Sequence, residues 1–349
     1  MTPGAARQGR TFSVRFFGKL GGTACAISVQ IPLVSKFDDL QDKDNLMRLA
    51  PRLLPLAAIA AAAGLLASAA HAADWSDTSI GFRSGDKFAE PFNTIAPNGI
   101  HKDIVDLNHV SGYKYGSNFF NVDLLMSNSK DPSSVGPDFK PQGSAQEIYI
   151  VYRNTVDLEK LAGVPMKMGP VRGYGLSFGF DVNAKTDAGY NSKKRMLVVG
   201  PTLNLDVPGF LSVSLLALLE SNAPCSDFNL AAGKSPCTSR FRYDTHPMLN
   251  AAWGIPLGKD SGFSFEGFAN FIASKGKNEF GADTAAETNI DGQIMYDVGM
   301  LTGTKGKFKV GFEYQYWKNK FGNKTTAVGG GAGPGATAKT PMLRGEYHF

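Results

Sequence analysis

The final nine residues, 341–349, place the strongest constraint on what this chain can become. Leu343, Gly345, Tyr347 and Phe349 alternate with Met342, Arg344, Glu346 and His348, so one face is apolar and the other polar. That is the period of a strand with two different environments on its two sides. A free edge on such a strand is a liability in water and is untenable in hydrocarbon, where unpaired backbone groups find no partner. The last strand is therefore expected to pair with the first.

The same alternation recurs along the chain. Strands are predicted at 74–83, 103–114, 118–127, 145–157, 170–183, 194–206, 210–220, 242–256, 263–273, 288–302, 307–317 and 341–349. Outward apolar stripes are clear in Tyr174-Leu176-Phe178-Phe180-Val182, in Leu211-Val213-Leu215-Ala217-Leu219, in Ile290, Ile294, Tyr296, Val298 and Met300, and in Phe308-Val310-Phe312-Tyr314-Tyr316. A soluble β-sandwich would turn these stripes onto a shared core. The connections argue for a barrel instead. Those at 84–102, 128–144, 184–193, 221–241, 274–287 and 318–340 are long and polar, while the alternate ones at 115–117, 207–209, 257–262 and 303–306 are short, 158–169 being the exception. Sorting of loop length by parity belongs to a transmembrane antiparallel barrel. The expected fold is all-β, a barrel of about twelve strands with both termini periplasmic. The glycine-rich stretch 329–335 lacks the Lys-Ser/Thr ending of a phosphate-binding loop and is read as a loop tip.

The N-terminal region fits export. From Met47 a short basic start with Arg48 and Arg52 leads into an apolar run, and Ala70-His71-Ala72 is an A-x-A exit before Ala73. Residues 47–72 read as a signal peptide, with cleavage near Ala72 and the bacterial outer membrane as destination. Residues 1–46 are expected to be a non-native extension ahead of the real start, leaving 73–349 as the barrel. Of 36 Lys+Arg and 31 Asp+Glu, 8 and 4 lie in 1–72, leaving 28 against 27. That near-neutral balance removes the case for a nucleic-acid partner. Cys225 and Cys237, with eleven residues between them in an exported chain, are expected to form a loop disulfide. No metal or cofactor motif is present.

If the apolar stripes face lipid, the opposite parity lines a lumen. The expected acidic lining is Asp77, Asp106, Asp123, Glu147, Asp181, Glu220, Asp244, Glu266, Asp291, Asp297, Glu313 and Glu346, with Arg83, Arg153, Lys309 and Arg344 as the basic members. Phe119, Tyr149, Phe268 and Trp317 supply aromatic faces among amides such as Asn108, Asn121 and Asn250. An acidic lumen favours neutral or cationic solutes. Stacking faces beside carboxylates and amides suit a nucleoside, although any aqueous lumen is polar and Tyr149 or Trp317 also fits an interfacial girdle.

Trp75, Leu107-Asn108-His109, the segment from Tyr113 through Gly116, Phe119, Phe120 and Asn121 to Asp123, and Glu147-Ile148-Tyr149 together resemble the early strands of the nucleoside-specific channel-forming (Tsx-like) outer-membrane family. The closing strand ending in Phe349 resembles the C-terminal signal of outer-membrane barrels, which implies the barrel-assembly machinery as a partner. The family likeness implies a monomeric barrel passing nucleosides by facilitated diffusion, with outer-membrane lipid as its surroundings and phages as users of its loops. A non-specific porin, and a surface barrel whose loops bind a partner while the lumen conducts little, stay open as alternatives.

Enzymatic readings are weaker. His109 and Ser111 share a face, but Asp106 and Asn108 point the other way, so no third group orients the imidazole. His246 and His348 fit a loop base and the closing strand. Asp291, Asp297 and Glu266 could be taken for an acid–base pair, yet carboxylates in a watery lumen have no reason to shift as catalysis demands. The chain is expected not to be an enzyme.

Overall fold

The computed structural model describes residues 11–20, 23–32, 73–93, 95–136, 138, 140–325 and 333–349. Thr11–Leu20 and Thr23–Pro32 pair antiparallel as a separate two-stranded hairpin inside the segment expected to be an extension. The signal-peptide segment 47–72 lies outside the described residues, as does most of the Gly-rich stretch.

The second unit is a closed ring of twelve strands: β1 (Trp75–Phe88), β2 (Ile100–Tyr113), β3 (Gly116–Ser127), β4 (Gln146–Asp157), β5 (Val171–Lys185), β6 (Arg195–Leu205), β7 (Phe210–Asn222), β8 (His246–Pro256), β9 (Phe263–Ile272), β10 (Glu287–Asp297), β11 (Phe308–Lys318) and β12 (Thr337–His348). Each pairs antiparallel with its sequence neighbour. β12 closes on β1 from Met342↔Gly85 to His348↔Ser79. At one end lie the connections 114–115, 158–170, 206–209, 257–262 and 298–307; the other six, which are longer on average, lie at the opposite end.

Three predicted boundaries move for physical reasons. The strand expected to run to 302 stops at Asp297, whose carboxylate accepts from Gly299 N at 3.0 Å and Gly306 N at 2.7 Å and so folds the chain into the turn Gly299–Thr302. Asp244, expected on a strand, lies in the loop before His246. β12 begins at Thr337, four residues before Pro341. Pro341 is tolerated because it pairs only with Tyr314, at the height where the β1 ladder leaves off.

The burial pattern inverts that of a water-soluble core. Leu343 is 70% exposed, Phe312 53% and Phe178 42%, while Asp106 is 1% exposed and Glu313 fully buried. An apolar exterior over a charged interior suits hydrocarbon outside and polar satisfaction inside. The interior is not uniformly polar, however. Met196, Val198, Leu216, Leu218 and Met248 pack on one inner wall with Ile272, and Phe88, Ile100, Ile104 and Met342 on another with Leu125. Residues 215–219 of β7 therefore read as a continuous apolar run because both faces carry leucine there.

Candidate functional site: the barrel interior

Twelve strands enclose a space between the filled interior of eight and the water channel of sixteen to eighteen. Side chains occupy its middle as an ion-pair cluster. Arg83 on β1 contacts Asp106 (3.3 Å), Asp123 (2.5 Å) and Glu313 (3.2 Å) on three other strands. Arg344 on β12 reaches the second Glu313 oxygen at 2.9 Å, also pairs with Glu346, and lies 3.6 Å from Asp106. Gly81 opposes Asp106 across the ladder, and a Cβ there would collide with that carboxylate. Glycine lets Asp106 lie against β1, where both arginines can reach it. Gln315 Nε2 donates to Asp291 at 3.1 Å beside this cluster.

A second cluster forms on the wall from β4 through β7. Tyr149 donates to Asp181 at 3.0 Å and accepts from Lys194 at 3.3 Å, and Arg153 pairs with Asp181 at 2.6 Å. Asn183 donates to Glu147 at 2.6 Å. Glu220 accepts from Lys275 of the loop after β9 at 2.8 Å, and beyond that lysine, on β10 and β11, Trp317 Nε1 donates to Glu287 at 3.3 Å. Towards the turn end a ladder of hydroxyls crosses four strands, Thr155 to Ser177 (2.7 Å), Ser177 to Thr202 (2.6 Å) and Thr202 to Ser214 (2.8 Å). These small groups leave the turn half roomier. It is there that the side chains of Asp77 (46% exposed) and Glu266 (25%) meet water, while Asp123 (20%) is partly wet within the Arg83 cluster.

The structure thus places Phe119, Asp123, Glu147, Tyr149, Arg153, Asp181, Glu220, Glu266, Phe268, Glu313 and Trp317 on the inner face, by contact or by pairing with a residue that points inward. They are not one site. Asp123 and Glu313 belong to the Arg83 cluster, Tyr149, Arg153 and Asp181 to the adjoining wall, where Tyr149 pairs with Asp123 across the β3–β4 ladder, and Phe119 and Phe268 face the wetter space. Glu266 accepts from Ser264 at 2.6 Å and faces Lys309 at 3.6 Å. Asp297 serves the turn backbone instead of a solute. Asp297→Ala should cost about 1–2 kcal/mol in the urea midpoint, the usual range for a lost capping side chain, and leave conductance unchanged.

The acidic lining also needs correcting, because Lys102, Lys185, Lys194, Lys275 and Lys320 all reach the interior, 8% exposed or less. Lys102 and Lys185 lie just beyond the predicted strand ends, and extending the inward parity by one pair would have found them. Lys275 and Lys320 come from loops that fold inward, which no periodicity reports. His109 Nδ1 meets Thr78 Oγ1 at 2.8 Å where a hydrolase would need a carboxylate. A disulfide joins Cys225 and Cys237 within the fourth long loop.

The barrel is similar to solved outer-membrane proteins at low identity. These include the KdgM porin (10% identity, 78% of this chain and 99% of that one, TM-score 0.36) and the COG4313 outer membrane channel from Pseudomonas putida F1 (9%, 78% and 95%, TM-score 0.41). The translocator domain of autotransporter NalP from Neisseria meningitidis matches at 11% identity over 84% and 98%, with a TM-score of 0.40. No family model matches the chain, and no curated protein matches it in sequence.

Proposed function

We propose that this chain is an outer-membrane barrel that passes small solutes by passive diffusion, entering the membrane with its termini and short turns on the periplasmic side. The observation that carries this reading is the inversion described above: a closed cylinder with an apolar exterior, charges inside, and a turn half in which the carboxylates of Asp77 and Glu266 stay wet. Water-exposed carboxylates at that end favour neutral or cationic solutes over phosphate esters. Nucleosides are the finer reading. Its support is the resemblance in the first strands, together with Phe119 and Phe268, which offer ring faces on the same inner surface as Asn121 and Asp123.

The test is single-channel conductance of the refolded protein in a planar bilayer, titrated with adenosine and thymidine against a nucleoside monophosphate and a sugar. Saturable block by the nucleosides alone supports the finer reading, and Phe119→Ala combined with Asp123→Asn should weaken it severalfold. A pore indifferent to every solute leaves a general porin. The surface-barrel reading has an observation of its own. The loop end is tied shut by Glu90, held by lysines, and by Glu279, which accepts from Tyr243 at 2.6 Å and from Tyr190. A folded barrel that conducts neither as wild type nor with Glu90→Gln would favour it.

A further inference from the structure

The first long loop turns into the barrel between Phe88 and Ile100, carrying Glu90, 1% exposed, below the rim. The Glu90 carboxylate meets three ammonium groups from separate parts of the chain: Lys102 on β2 at 2.5 Å, Lys185 on β5 at 2.9 Å, and Lys320 in the last loop at 3.0 Å. Lys320 also donates to the Ala89 carbonyl at 3.0 Å and lies over the rings of Trp317 and Phe321. The loop is bent to deliver this one group. Lys87 and Phe92, on either side of Glu90, both hold left-handed backbone (φ 68° and 66°), a conformation that non-glycine residues keep only when their surroundings enforce it. Asn93 fixes the descending limb by donating to Lys130 O at 2.8 Å and accepting from Ile95 N and Ala96 N.

We propose that Glu90 is a latch: its carboxylate fills an anion site built by Lys102, Lys185 and Lys320, and by filling it holds the first loop across the mouth of the barrel. The inference rests on the channel reading. Released, the site would not be charge-neutral. Lys185 keeps Asp187 at 2.7 Å, and Asp131 stands 3.6 Å from both Lys102 and Lys185. Among the described residues Lys320 has no other carboxylate within 4 Å. An opened mouth would therefore draw small carboxylate or phosphate anions, the chemistry that Glu90 itself supplies. The mouth and the acidic turn half would then select in opposite senses.

Acid should open the latch only at low pH. Burial raises the carboxyl, but the three ammonium groups outweigh it and hold Glu90 well below the ordinary carboxylate range. A depressed folded value means that closure is favoured above the free value near about 4.3 and is lost as pH falls through the depressed one. Asp131, which burial raises, protonates earlier and leaves more of the lysine charge to Glu90. Glu147 and Asp187 also face the cluster.

The experiment compares the full chain with Glu90→Gln and Lys320→Gln in planar bilayers, measuring conductance and the reversal potential in a KCl gradient. Folding is checked by heat-modifiable gel migration. Both variants should conduct severalfold more than wild type at neutral pH. E90Q should also shift the reversal potential toward chloride, and millimolar inorganic phosphate should block E90Q while leaving wild type unaffected. K320Q tests the same latch from the opposite side if E90Q fails to fold. A conducting wild type with folded variants of identical conductance and selectivity overturns the latch alone. Folded proteins none of which conducts overturn the latch and the channel reading together.

Discussion

Arg83→Met should produce a barrel less stable by about 3–5 kcal/mol, the range found when one partner of a buried ion pair is removed. Arg83 is the cation shared by Asp106, Asp123 and Glu313. Methionine preserves much of the volume while leaving those carboxylates to Arg344, which already serves Glu313 and Glu346 and stands 3.6 Å from Asp106. The measurement is the urea midpoint of tryptophan fluorescence in lipid vesicles. Adding Glu313→Gln to Arg83→Met should recover part of the loss, because it removes one of the stranded charges. A midpoint within about 0.5 kcal/mol of wild type, the spread expected of a neutral surface change, would mean that water already screens these groups. The middle of the barrel would then be an open channel and not a packed cluster.

Phe178→Arg, on the opposite side of the wall, should cost about 2–4 kcal/mol in the same assay. Phe178 sits midway along β5 in the outward stripe of Leu176, Phe180 and Val182. Phe308→Arg is the informative companion, since Phe308 is equally outward but begins β11 at the turn end. Near a headgroup boundary the cost falls to about 0–1 kcal/mol. A soluble β-protein has no such dependence on height, so equal penalties at the two positions would argue against a bilayer around this barrel.

Much of the architecture is legible from local pattern. A period of two, repeated in segments of about a strand's length, fixes which residues share a side. The parity of loop length then distinguishes a barrel from a sandwich before any contact is known. All twelve strands fall where alternation puts them, and the closing strand pairs with the first because neither can keep a free edge. The boundary errors occur where a side chain intervenes, as when Asp297 takes two backbone N–H groups and ends its strand early.

Alternation by itself determined which wall each residue of this chain belongs to, and hence the apolar exterior and the charged interior. It did not determine who faces whom across the lumen. Arg83 and Glu313 meet though 230 residues apart, and Lys320 enters from a loop with no period to read. Closing the ring juxtaposes strands that are remote in sequence, and only that closure decided that these carboxylates are neutralised by buried cations instead of standing free in a channel.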